Sequence, residues 1–138
     1  MTISRTQTVE IDAQAAAVFD VVSKVEQLPR WATAFCAGIL EREGSRYRIA
    51  TPQGAMMFWI DADRTRGVVD MYGGPSEAEA SRWPARVLDT PDGTSVFVFT
   101  AFRSAGVSEV QFEGQCAALG HELQTLKRLV ETQGLAPG

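Results

Sequence analysis

The last quarter of the chain limits its fold more than any other stretch. Phe112, Cys116, Leu119, Leu123, Leu126 and Val130 recur at spacings of four, three, four, three and four. At about 100° per residue these positions form one apolar stripe along a single long helix. Ser108 and Gln111 stand before it at capping-box spacing, each side chain within reach of the other's free backbone N–H. Gly134 and Pro137 supply the stop. A helix this long with one apolar face needs a broad partner surface, which the preceding residues must provide.

Those residues read as a sheet. Between about Phe35 and Arg103, four turn signals punctuate strand-favouring runs: Glu43-Gly44-Ser45, Thr51-Pro52-Gln53-Gly54, Arg64-Thr65-Arg66-Gly67 and Thr90-Pro91-Asp92-Gly93. They predict strands at 36–43, 46–51, 55–63, 68–72, 83–89 and 94–102, with an irregular loop at 73–81. Strands joined by short turns pair antiparallel. Residues 4–11 alternate weakly and predict a first strand. Asp12 then offers an N-cap. Ala15, Val18, Phe19 and Val22 make the stripe of a short helix, and Val25, Leu28 and Trp31, interrupted by Pro29, make a second. The expected architecture is α+β: a seven-stranded curved antiparallel sheet around the C-terminal helix, with two short helices after the first strand.

Composition narrows the function classes. A length of 138 residues suits one domain spanning 1–138. The 13 basic and 17 acidic residues give a net charge of −4 without a basic run. That argues against a nucleic-acid partner, which needs clustered Lys and Arg to meet phosphates. No apolar run reaches the length of a membrane span. The N-terminus lacks the layout of a signal peptide, and a cytoplasmic protein is expected. Cys36 and Cys116, eighty positions apart, read as free, buried, reduced thiols.

Three segments sharpen the picture. Val9-Glu10-Ile11-Asp12-Ala13, Ala17-Val18-Phe19-Asp20-Val21-Val22-Ser23 and Leu28-Pro29-Arg30-Trp31, in this element order, resemble the START-like (SRPBCC) superfamily with its helix-grip fold. They look most like the opening of its polyketide cyclase/dehydrase-like branch. The chain departs from that pattern at Gln14, where a proline is usual, and at Lys24, where an acidic or amide residue is usual. The resemblance covers essentially the whole chain and implies a cavity between sheet and long helix for lipids, polyketides, quinones or similar apolar ligands. It carries no universal catalytic residue, so none is transferred.

The aromatic supply agrees with a cavity. Trp31, Phe35, Phe58, Trp83, Phe97, Phe99 and Phe112, with Met56 and Met71, suit a pocket that must fit irregular apolar ligands. They could equally fill a solid core, and the resemblance decides for the cavity. With Cys116, Leu119 and Leu123 from the helix stripe, these are the expected ligand-binding residues.

Catalytic signals are sparse. His121 is the only histidine and lies about 180° around the helix from Phe112, facing solvent. It also lies about 140° from Cys116, a poor geometry for a nucleophile pair. No Cys/His cluster has zinc spacing, and neither metal nor cofactor is expected. Asp61 and Asp63 share a strand face opposite Met56, Phe58, Ile60 and Ala62, and read as solvated. The parity of 68–72 is open. If Val68, Asp70 and Tyr72 point inward, Asp70 and Tyr72 place a carboxyl and a phenol in the cavity; otherwise Asp70 lies outside, paired with Arg64, Arg66 or Arg86. Asp70, Tyr72 and Arg86 are therefore the weak catalytic candidates.

Three functions follow from these features. The first is a non-catalytic binder of an apolar small molecule, and the second a cyclase or dehydratase acting on one. The third is an interaction module whose Met57–Trp59 surface, on the outward strand face, binds another protein; the same pair could instead join a homodimer, or belong to the pocket if the parity of 55–63 is reversed.

Overall fold

The computed structural model describes residues 3–133; the helix stop expected at Gly134 and Pro137 lies outside the described residues. The elements run β1 (Ser4–Ile11), α1 (Ala15–Val22), a 3-10 turn (Val25–Gln27), α2 (Leu28–Trp31), β2 (Gly38–Glu43), β3 (Arg46–Thr51), β4 (Gly54–Asp63) and β5 (Val68–Gly74). They continue with β6 (Ser81–Trp83), β7 (Ala85–Asp89), β8 (Ser95–Phe102) and α3 (Glu109–Gln133). All strand pairs are antiparallel, in the order β1-β8-β7-β5-β4-β3-β2, and β6 pairs with β5.

The strand expected at 83–89 is two strands, which raises the count to eight. Pro84 has no N–H to give a ladder, so the chain changes partner there. Trp83 still pairs with Met71 of β5, whereas Ala85 pairs with Phe99 of β8. β5 also runs on through Gly73 and Gly74, into the stretch expected to be loop. A Cβ on Gly73 would lie 2.9 Å from the Phe58 ring, so glycine lets the aromatic side chains rest against the strand backbone.

Alternation sets one face of the sheet against α3. Val9, Ile11, Ile49, Phe58, Val69, Met71, Val87 and Phe97 are buried there. Parity at 55–63 is as expected, and Val69 and Met71 settle 68–72: Val68, Asp70 and Tyr72 lie on the convex face. The α3 stripe is buried along its length, and the capping box forms. Ser108 N–H donates to Gln111 Oε1 at 2.9 Å, and Gln111 N–H donates to Ser108 Oγ at 3.1 Å. His121 is exposed, and Cys36 and Cys116 are free and buried.

The expected cap of α1 does not form. Gln14 occupies the N-cap without a side-chain bond, and the Asp12 main-chain N–H donates to Glu131 Oε2 of α3 at 2.8 Å. The convex face also differs from expectation at Trp59. Its ring stacks on Tyr72 (5.2 Å between centroids, 8° between planes) and lies under the Arg46 guanidinium at 4.3 Å. Trp59 is half-covered by its own chain rather than bare.

Candidate functional site

Sheet and helices enclose a cavity of about 470 Å³, within the ~300–1,000 Å³ typical of small-ligand pockets. The sheet contributes Met56, Phe58, Met71, Trp83 and Phe99 to its walls. Trp31 and Phe35 come from α2 and the segment after it, and Leu119 comes from α3. Phe35, Phe58 and Trp83 form a triangle of rings with centroids 5.7, 5.8 and 6.3 Å apart. Such tilted and offset pairs hold rings in place through their quadrupoles as well as by burial. The β3–β4 turn, the β5–β6 loop and the β8–α3 connection border the cavity, the last through Ser104 and Val107, next to Phe102 at the end of β8, which is 52% exposed.

Four expected lining residues lie elsewhere. Phe97 sits behind Trp31 in an edge-to-face contact at 6.1 Å, and Leu123 belongs to the solid part of the core. Phe112 and Cys116 are buried but neither lines the cavity; next to them, Gln7 Nε2 of β1 donates to the Cys116 carbonyl at 2.9 Å. The α3 stripe thus packs mostly as core, and Leu119 alone of its residues reaches the cavity.

The catalytic candidates also require correction. Asp70, Tyr72 and Arg86 lie on the convex face, the sheet standing between them and the cavity. Tyr72 is occupied with Trp59, and Asp70 sits in register with Asp61. Two of the three partners proposed for Asp70 are engaged elsewhere: Arg64 pairs with Asp20 and Arg66 with Asp63. Burial pushes both cysteine thiols up, away from the nucleophilic thiolate. Among the described residues, no three His, Cys, Asp or Glu side chains come together as a metal site.

The group that sequence reasoning missed is Glu122. It lines the cavity from α3 and is only 6% exposed. Its Oε2 accepts the backbone N–H groups of Ala34 and Phe35, at 3.1 and 3.0 Å. These bonds tie the segment after α2 to the long helix. Burial raises the carboxyl pKa, and the two N–H donors pull against that rise. A signal was present: Glu122 falls three residues after Leu119 and four before Leu126, within the flank of the apolar stripe.

Glu122 should therefore show its charge in stability. Its pKa is raised on folding, so its stabilising contribution is complete below the unfolded value near 4.5 and is lost as pH rises through the folded value. Glu122→Gln keeps an oxygen for both N–H groups and carries no charge. Its melting temperature relative to the native chain is expected to rise between pH 4.5 and pH 8 in thermal denaturation. Glu122→Leu leaves two N–H groups unpaired and is expected to lower stability by about 1–3 kcal/mol. A flat difference between Gln and Glu across that range would refute the buried charge.

An eight-stranded antiparallel sheet gripping a long C-terminal helix, with short helices after the first strand, is the START-like helix-grip fold. Among solved structures, a START superfamily protein from Mycobacterium smegmatis superposes with a TM-score of 0.71 at 15% identity, over 96% of this chain and 99% of the other. The protein XoxI from Bacillus cereus gives 0.73 at 15% identity, over 94% and 96%. The Aha1 dimer from Colwellia psychrerythraea gives 0.70 at 14%, over 94% and 97%. At such identities the likeness is one of fold. No protein-family model and no curated protein matches the sequence.

Proposed function

We propose that residues 1–138 form one START-like domain of the cytoplasm that binds a small apolar molecule between the sheet and α3. One observation carries this reading: the sheet and α3 leave about 470 Å³ unfilled behind an aromatic wall. A domain serving only as a scaffold gains by filling such space, since voids forfeit packing contacts. The fold comparisons support a ligand-binding architecture. The cyclase or dehydratase alternative has less support, because its three candidate residues stand on the wrong side of the sheet. A homodimer through Met57 and Trp59 is likewise less favoured, with Trp59 already stacked on Tyr72.

The test is direct. Nile red, a neutral apolar dye, is expected to bind the purified protein with a fluorescence rise and a stoichiometry of one. Native mass spectrometry of freshly purified protein is expected to show a co-purified apolar mass. Ala118→Trp and Ala101→Phe each project a ring into the cavity from its lining. Either is expected to weaken the dye at least about tenfold, the scale of one lost apolar subsite. Unchanged dye affinity in both folded variants would place binding outside the cavity and sink the proposal.

A further inference from the structure

Of the polar side chains that line the cavity, Glu122 alone is buried; Gln53, Glu79, Ser81, Ser104 and Gln115 are exposed, and Thr51 is half-buried. Glu122 Oε2 is taken by the Ala34 and Phe35 N–H groups, while Oε1 makes no hydrogen bond to any described residue. Oε1 is nevertheless not sealed in by protein atoms, as the Trp31 indole nitrogen is. In a side chain that lines the cavity and is 94% buried, an open oxygen has little to face except the cavity. No Lys, Arg or His lines the cavity, and its one other carboxylate, Glu79, is exposed in the β5–β6 loop.

We infer that Glu122 Oε1 is the head-group anchor of the cavity, and that the ligand is an apolar molecule carrying a hydrogen-bond donor, a hydroxyl or an amine, rather than a carboxylate. The inference rests on the apolar-binding function proposed above and specifies its ligand. A donor head satisfies the one acceptor that would otherwise lose its water when an apolar body fills the space. An anionic head would bring a second carboxylate against the first with no cation to compensate. The Phe35 ring enters the cavity from the segment that Glu122 tethers, and Trp31 from the end of α2 just before it, so the anchor and this part of the aromatic wall are held together.

Decanol, decylamine and decanoate share a chain and differ in the head, so competition against Nile red at pH 8 isolates the anchor. Decanol, decylamine or both are expected to displace the dye at a concentration at least about tenfold below decanoate, the scale of one hydrogen bond to a charged group. The two donors separate a neutral from a cationic head. Glu122→Gln provides the inversion. Its carbonyl oxygen can take the Oε2 position and keep both tethers, which puts an NH2 donor where Oε1 was. The preference is then expected to shrink below about threefold or to reverse. Equal displacement by all three in the native chain overturns the inference and leaves apolar binding standing. So does a native preference that persists in Glu122→Gln. If the dye and all three compounds fail to bind, the proposed function falls, and the inference falls with it. The native head-group ranking decides the matter even if the variant does not fold.

Discussion

Gly67→Ala is expected to lower unfolding stability by roughly 3–5 kcal/mol, a third or more of a typical domain's total. Two independent strains add. Gly67 has φ +66°, a left-handed conformation that costs a side-chain-bearing residue about 1–2 kcal/mol. Its Cβ would also stand 2.2 Å from the Val87 carbonyl oxygen, a distance no rotamer change can relieve because both partners are backbone. Retreat of the β4–β5 turn would break the bond from the Val87 N–H to the Gly67 carbonyl, now 2.8 Å. Gly44 supplies the matched control: its φ is +62° and nothing lies within 4 Å of its Cβ position. Gly44→Ala is expected to lose only the conformational part, about 1 kcal/mol. Urea midpoints for the two variants measure the difference. If they fall together, the close approach at Val87 is not as described.

The two glycines show where sequence stops speaking. Both announce a turn, and Glu43-Gly44-Ser45 and Arg64-Thr65-Arg66-Gly67 were equally legible as such. Only the tertiary structure distinguishes a turn in open solvent from one pressed on β7. The long helix was legible for the opposite reason. Its stripe and its Ser108–Gln111 box are local patterns, each of which names its own geometry. Asp12 looked just as local, yet its main chain is claimed by Glu131, 119 positions away. A short helix such as α1 has little intrinsic stability and begins where tertiary contacts allow.

The site divides along the same line. Strand parity pointed to Met56 and Phe58, whereas Met71, Trp83 and Phe99 were legible only as part of the aromatic and methionine supply; all five line the cavity. Parity could not separate Phe97 from Phe99, which share one face; the first lies beneath Trp31 and the second borders the cavity. The Pro84 break is written in the sequence as a missing N–H, although the strand-favouring run at 83–89 reads as continuous. Glu122 is masked by the rule that a charge on a helix reads as solvated. What buries it is a pair of N–H groups on the segment after α2, a partner that no helical pattern within α3 encodes.

Trp31→Ala is expected to lower stability by about 3–5 kcal/mol, and Trp31→Phe by less than about 1.5 kcal/mol. Trp31 is 1% exposed, packs edge-to-face on Phe97 and closes a helix of only four residues. So short a helix draws its stability from what it buries. Truncation to alanine removes the largest buried surface in α2 and extends the existing void, a loss of transfer energy and of packing together. Phenylalanine keeps a ring against Phe97 and removes a liability. The indole Nε1 is buried without a hydrogen-bond partner among the described residues, an arrangement that costs the folded state about 1–3 kcal/mol. Losing that donor offsets much of the area lost with the second ring. Chemical denaturation of both variants tests the balance, because a Phe variant as damaged as the Ala one would show that the indole N–H is hydrogen-bonded. The two also differ in consequence for the site: α2 leads directly into the Ala34 and Phe35 N–H groups that Glu122 holds. An alanine at Trp31 loosens the tether as well as the wall, whereas a phenylalanine leaves the anchor where it stands.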